Sequence, residues 1–415
     1  MNIPTDIVQQ EVDLLYKSHY GKMVALLFNS YPDISLETVE DLVQDSFTAA
    51  LTAWAKDSVP ANPAGWIFTV CRNKAINTFR TAGRTRPLAA HDQPYAPAAD
   101  IPESAFDDQQ LRLLFACAHP DLPPKTQVVI TLKYVINLKV EAIAAALGMT
   151  VDGISKLLLR ARQKIRDEKI LLAEPDPSLL KSRLSIVHKI IYLIFNEGYK
   201  TSSGKKLLKE ELCEEALLIC KSLLDARIGD KTTVALHALM LLNAARFKTR
   251  FGALGELLDL EEQDRSLWNK GLVLLAGDLM MQSRGPEIST YHYEAAIAWL
   301  HCMAKTFQAT DWNAICKLYR QLLLLYPNPF VELNYSIALY YAGQKKVSLQ
   351  LLQDLSQHPF LSQYYLLNAA LGKIHLLEGD LLTAREYYVK ALGQTDSAIE
   401  KEFIQKMIAR TIPSS

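Results

Sequence analysis

Along nearly the whole chain apolar residues recur three and four positions apart, and alternation of β-branched with polar residues is almost absent. That period predicts an all-α protein. Proline and glycine divide the pattern into blocks. Residues 1–86 hold several amphipathic segments, punctuated by Pro32-Asp33 and by Pro60-Ala61-Asn62-Pro63. Residues 87–104 carry four prolines with alanines and few large apolar side chains, the composition of an extended linker that builds no core. A second helical block spans 105–174 and closes at Pro175 and Pro177; a larger helical region occupies 178–415. A chain of 415 residues is too long for one compact core, so this division into domains fits its length.

The sharpest local pattern lies at 140–166. Ile143, Ala144 and Leu147 form the apolar side of a short helix that runs into Gly148, whose missing side chain permits a sharp turn. Thr150 is placed to cap a second helix, and Ile154, Leu158, Ala161 and Ile165 give that helix an apolar face. This is the pattern of a helix-turn-helix, with Thr150, Val151, Asp152, Ser155 and Lys156 toward DNA. Lys156, Arg160, Arg162, Lys164, Arg166 and Lys169 outnumber Asp167 and Glu168, and such cations orient a helix on phosphates without reading sequence. An ordinary helical hairpin with a solvated basic face would share the charge but not the turn and the cap. Gly153 runs against the pattern, costing about 1 kcal/mol relative to Ala in a helix interior.

Composition changes the picture only through its distribution. Lys plus Arg and Asp plus Glu balance at 45 each, so net charge alone points to no nucleic-acid partner. Leu36–Asp45, however, carries four acids and no base and continues through Phe47 and Leu51 to Trp54 as one amphipathic helix, a face suited to a basic protein partner. Pro63–Ala90 is its opposite. Arg72, Lys74, Arg80, Arg84 and Arg86 stand without an acid, with Asn73 and Asn77 four apart among Trp66, Phe68 and Phe79. Cations for phosphates, amides for base edges and aromatics for stacking are what single-stranded DNA recognition requires. Ile67, Val70 and Ile76 are core by their spacing; Trp66 fits either role.

In order, E-D-L-V-Q-D-S-F-T-A-A-L-T-A-W, then N-P-A-G-W-I-F-T-V-C-R-N-K-A-I-N-T-F-R, then linker and helix-turn-helix resemble the extracytoplasmic-function group of RNA polymerase sigma factors. Y-L-I-F-N-E-G-Y (192–199), E-E-Q-D-R-S-L-W (261–268) and T-D-W (310–312) are similar to the subgroup with a tetratricopeptide-like C-terminal extension. The resemblance implies two small helical sigma domains, the second a helix-turn-helix, followed by a larger helical-repeat domain. It implies no covalent chemistry and no cofactor; the partners are RNA polymerase core, through the β′ clamp helices and the β subunit, and promoter DNA. By the resemblance Glu40, Asp41, Gln44 and Asp45 dock on the clamp helices. Asn62, Trp66, Arg72, Asn73, Lys74, Asn77, Arg80 and Arg84 open and read the −10 element. Thr150, Val151, Asp152, Ser155, Lys156, Arg160 and Arg162 serve the −35 element. Two departures bear on promoter sequence: Val140 stands where Thr or Ser often starts the first helix, and Leu157 where Arg or Lys commonly faces DNA.

In the third region Gly372, Gly379, Ala384, Tyr388 and Ala391 fall at the intervals of a tetratricopeptide unit, and 331–355 has the same outline around Gly343 without the small residues. Asn196-Glu197-Gly198-Tyr199 and Glu261–Arg265 are either satisfied helix termini or a surface toward the sigma domains or a regulator. His188, His237, His292, His301, His358 and His375 are isolated on helices, so no nucleophile–base pair forms and an enzyme is not expected. Six cysteines lie scattered without a CxxC pair, neither Cys117/His119 nor His301/Cys302 has a second pair at finger-like spacing, and no metal is expected. No apolar run reaches the roughly 18–20 residues of a membrane helix, so a cytoplasmic protein without a membrane partner is expected. The competing reading is a helix-turn-helix activator with a helical-repeat sensor domain, which leaves the acidic helix and the Trp/Asn/Arg segment without a role.

Overall fold

A computed structural model describes residues 5–31, 34–81, 103–147, 149–170, 172, 177–199, 210–252 and 256–412. Among these residues the secondary structure is helical, with a single isolated β-bridge between Phe251 and Leu257. The chain forms two compact units, Met1–Ile194 and Phe195–Ser415. The first spans both N-terminal helical blocks and the start of the third helical region.

In the first unit α1 (Thr5–Ser30), α2 (Leu36–Asp57) and α3 (Pro63–Thr81) pack on one another. Ser35 starts α2 by accepting the Thr38 amide at 3.2 Å, and Leu36, Val39, Val43, Phe47, Ala50 and Trp54 bury one stripe of it. Asn62 caps α3 through the Gly65 amide at 2.9 Å, with Pro63 at the first helical position, where its missing N–H is not needed. Then follow α4 (Glu103–Cys117), α5 (Pro124–Tyr134), α6 (Val140–Ala146), α7 (Val151–Asp167) and α8 (Pro177–Tyr199), whose residues from Phe195 onward belong to the second unit.

Described helices of the two blocks pack on one another. α1 lies along α4, and Asn29 donates to the side chain and carbonyl of Gln109 at 2.8 and 3.1 Å. A Cβ on Gly21 would fall 1.8 Å from the Val135 carbonyl oxygen, so α1 and the end of α5 touch backbone to backbone. Arg183 of α8 closes the unit by donating to the Phe115 carbonyl at 2.7 Å.

The second unit continues with α9 (Glu210–Asp225), α10 (Lys231–Ala244), α11 (Lys270–Gln282), α12 (Thr290–Met303), α13 (Trp312–Leu325), α14 (Pro329–Tyr341), α15 (Lys345–Leu355), α16 (Tyr365–Leu377), α17 (Leu381–Leu392) and α18 (Ala398–Ala409). α10 packs on both α11 and α12, while α13 to α15 and α16 to α18 pack mainly on their sequence neighbours, the arrangement of stacked helical hairpins. The hairpin read from the sequence is present. Gly372 presses on the Tyr388 ring, 3.0 Å from where a Cβ would sit, Ala384 and Ala391 are fully buried, and Gly379 turns the chain at φ +82°. Gly343 makes the equivalent turn at φ +84° between α14 and α15.

The polar motifs of this unit are largely internal anchors. Asp311 caps α13 through the Ala314 amide at 2.9 Å. Arg265 donates to the carbonyls of His301 and Ala304 at 2.7 and 3.0 Å and to Thr310 at 3.3 Å, and its guanidinium lies 5.0 Å from the Trp268 ring. Arg250 stacks 3.8 Å over the Tyr199 ring. The turn at 259–262 reaches across the unit. Asp259 and Glu261 pair with Lys373 at 3.6 and 3.1 Å, and Glu262 meets Arg410 at 2.6 Å and Lys406 at 3.5 Å.

Candidate nucleic-acid interface

The expected helix-turn-helix is present as α6 and α7, although Gly148 at its turn lies outside the described residues. Ala142, Ile143 and Ala144 bury α6, and Ile154, Leu158 and Ala161 bury α7, while Leu147 and Ile165 are half-buried. The Thr150 hydroxyl accepts the Gly153 amide at 3.1 Å and so caps α7. Gly153 now has a local reason: a Cβ there would sit 3.0 Å from that same hydroxyl. Thr150, Val151, Asp152, Ser155, Lys156 and Arg160 are exposed at the N-terminal half of α7, with Lys156 and Asp152 paired at 2.7 Å across one turn.

Arg162 is placed differently. Its Nε lies 2.7 Å from the Tyr134 hydroxyl, to which it donates, and 2.8 Å from the Glu37 carboxylate on α2. It therefore turns toward the first helical block rather than lying with the exposed cations of α7. Burial, above all other influences, pushes the Tyr134 phenol up to about 12.

On α2 the four expected docking residues separate. Asp41, Gln44 and Asp45 are exposed, Asp45 lying 3.5 Å from Lys74 of α3. Glu40 is buried, only 7% exposed, and pairs with Lys133 of α5. Burial and the adjacent Glu40 carboxylate together push the Tyr20 phenol far above its ordinary range. No single-chain pattern marked Lys133 or Tyr134 as partners of this helix, since each lies on the far side of the linker in sequence.

On α3, Asn73 and Asn77 are exposed on one side, with Lys74, Arg72 and Trp66 half-buried around them. Trp66 meets buried Trp54 edge to face at 5.5 Å, so one side of its ring is core and the rest reaches the surface. Asn62, whose oxygen is engaged as the cap, is half-buried. Arg80 lies in α3 with its side chain outside the described residues, and Arg84 lies outside them altogether.

Residues 15–85 match the sigma-70 region 2 family model and residues 112–165 the sigma-70 region 4 model. The chain belongs to the extracytoplasmic-function (ECF) type of sigma factor. Residues 183–284 match a family of unknown function, DUF6596. An uncharacterized protein of Rhizobium meliloti is 31% identical over 384 residues, 90% of each chain. Over the N-terminal part alone, the ECF RNA polymerase sigma-E factor of Haemophilus influenzae is 27% identical across 37% of this chain and 85% of its own. RNA polymerase sigma factor YlaC of Bacillus subtilis is 25% identical across 38% and 91%. No solved structure matches the chain. As a sigma factor it acts in transcription initiation, and sigma factors are not enzymes. No single helix among the described residues is long and apolar enough to cross a membrane.

Proposed function

We propose that the exposed acidic side of α2 docks RNA polymerase core, that α3 opens and reads the −10 element, and that the N-terminal half of α7 reads the −35 element. One observation carries the reading: Asp41, Gln44 and Asp45 form an exposed patch on α2, while the adjoining α3 exposes Asn73 and Asn77 and carries cations without an acid. Contacts of opposite chemistry on neighbouring helices fit a protein that holds a basic protein surface and unstacked bases together. Binding energy from docking and from the −35 contacts offsets unstacking of −10 bases, which costs a few kcal/mol per step. Linking the two contacts makes the second effectively intramolecular.

We further propose that the second unit controls this activity in cis. Its Glu261–Arg265 motif is spent on internal contacts, so control would act through the unit as a whole rather than through that motif as an open docking site. Run-off transcription with purified core tests both proposals. Asp41→Lys with Asp45→Lys is expected to abolish co-purification with polymerase and leave folding intact, because both side chains are exposed; normal co-purification refutes the docking assignment. A chain ended after Ile194, the limit of the first unit, is expected to change promoter output, and unchanged output refutes control in cis.

A further inference from the structure

Three arginines of the second unit gather around two aromatic rings. Arg250 lies 3.8 Å over the Tyr199 ring, and the Tyr199 hydroxyl accepts from Arg246 at 3.0 Å. The Arg246 and Arg265 guanidiniums lie 5.7 and 5.0 Å from the centre of the Trp268 ring. The Asn269 amide donates to the Ala245 carbonyl at 2.9 Å, which fixes this indole beside Arg246. Among the described residues none of the three arginines pairs with a carboxylate. Their donors are also only partly used. Arg265 holds its two terminal nitrogens on the His301 and Ala304 carbonyls and on Thr310, while its Nε is buried without an acceptor. Trp268 is only 4% exposed and its Nε1–H meets no acceptor among the described residues; Nδ1 of His301 is buried and unpartnered as well. Arg246 spends Nη2 on Tyr199 and, at 2.9 Å, on Asn243, which leaves its Nε and Nη1 unbonded among the described residues.

We infer that Arg246, Arg265, Trp268 and His301 form a binding site for the phosphoryl group of a small phosphate-bearing ligand. The inference is independent of the roles proposed for α2, α3 and α7. Burying a cation without a counter-charge is unfavourable, and two guanidiniums beside one indole also repel each other. Attraction to the ring face offsets part of this cost, and carbonyls orient a guanidinium without neutralising it. A water molecule would satisfy the free N–H groups but leave both positive charges standing. A phosphoryl group answers both deficits, since it carries a charge of about −1.5 to −2 near neutral pH and three strong acceptor oxygens. Two of those oxygens match a guanidinium fork, and the third, which a carboxylate lacks, is left for the indole or imidazole N–H. Burial, then Arg246 and Arg265, lower His301 to about 3, so its imidazole is neutral near pH 7 and can present Nδ1–H. Arg246, Arg265 and His301 are each partly exposed, so the rest of the ligand can extend into solvent.

The test titrates the full chain with inorganic phosphate, glycerol phosphate and acetate by calorimetry, at ionic strength held constant with sodium chloride. Wild type is expected to bind phosphate saturably and acetate about tenfold more weakly. Arg246→Lys keeps the charge but loses the fork, and is expected to weaken phosphate binding about tenfold. Trp268→Phe keeps a ring and removes the Nε1–H, and is expected to weaken it several-fold. Arg284→Gln, which removes an exposed cation outside the cluster, is expected to bind as wild type does. Equal affinity for glycerol phosphate and inorganic phosphate supports a phosphate ester as the ligand; preference for inorganic phosphate supports the free anion. Absence of phosphate binding by the wild type, acetate bound as tightly as phosphate, or either cluster variant binding as tightly as wild type overturns the inference. If one cluster variant fails to fold by circular dichroism, the other variant and the phosphate-to-acetate ratio of the wild type decide.

Discussion

At the start of α7 two residues that look opposed in the sequence turn out to be one device. Thr150 accepts the Gly153 amide at 3.1 Å, and the glycine leaves the space in which that hydroxyl sits, 3.0 Å from a would-be Cβ. Thr150→Ala removes the cap and is expected to cost about 1 kcal/mol. Gly153→Ala gains up to about 1 kcal/mol of helix propensity but crowds the cap. The gain from Gly153→Ala is therefore expected to be larger in the Thr150→Ala background than in the wild type. Urea denaturation of the four chains of this cycle checks it; equal gains in both backgrounds would show that glycine and cap are independent. The cap itself was legible from one sequence because it spans three residues. Arg162 was not: its partners Tyr134 and Glu37 lie on other helices, and an arginine in a basic run carries no local mark of which acid it will meet.

Between elements the same contrast holds. The stripe of α2, the apolar faces of α6 and α7, and the Gly372/Tyr388 packing of α16 on α17 were all readable, because each follows from a helical period or from small residues within one hairpin. The turn at 259–262 was readable only as a polar run open to two interpretations. Its partners Lys373, Lys406 and Arg410 lie more than a hundred residues away, on α16 and at the end of α18. Burial pushes the Glu262 carboxyl up, but the Arg410 hydrogen bond, the Asp259 amide and Lys406 outweigh it and hold it below the usual carboxylate range. Both side chains remain partly exposed, 22% for Glu262 and 42% for Arg410, so solvent screens the pair. A double-mutant cycle of Glu262→Ala and Arg410→Ala is expected to give a coupling below about 1 kcal/mol that shrinks with added salt. Additive losses at low salt would mean that the turn is held by its backbone and by Lys373 instead.

Across the whole molecule the balance of acids and bases hides a pH sensitivity that sits in the second unit. Burial, with Lys221 nearby, lowers His237 to about 4, and burial with Arg246 and Arg265 lowers His301 to about 3. In the unfolded chain both titrate near 6.5. Above that pH the two states bind no proton at these sites and folding carries no penalty. As pH falls below it, the unfolded chain takes up protons that the folded unit refuses, so unfolding gains ground until the folded values are reached. Each histidine can withdraw on the order of 3 kcal/mol across that window. Asp259, raised chiefly by burial, works in the opposite sense, but only within the carboxylate range at the acid end, where Glu262 opposes it. Loss of stability between about pH 6.5 and pH 4 is thus expected to come from the histidines. Melting followed by calorimetry from pH 7.5 downward (approximate window from the histidine values) is expected to show the transition of the second unit falling over this range. His237→Gln with His301→Gln, which cannot titrate, is expected to flatten that fall while lowering the melting temperature at neutral pH. An equal fall in the double variant would place the acid sensitivity elsewhere, in the carboxylates bridging the 259–262 turn to α16 and α18.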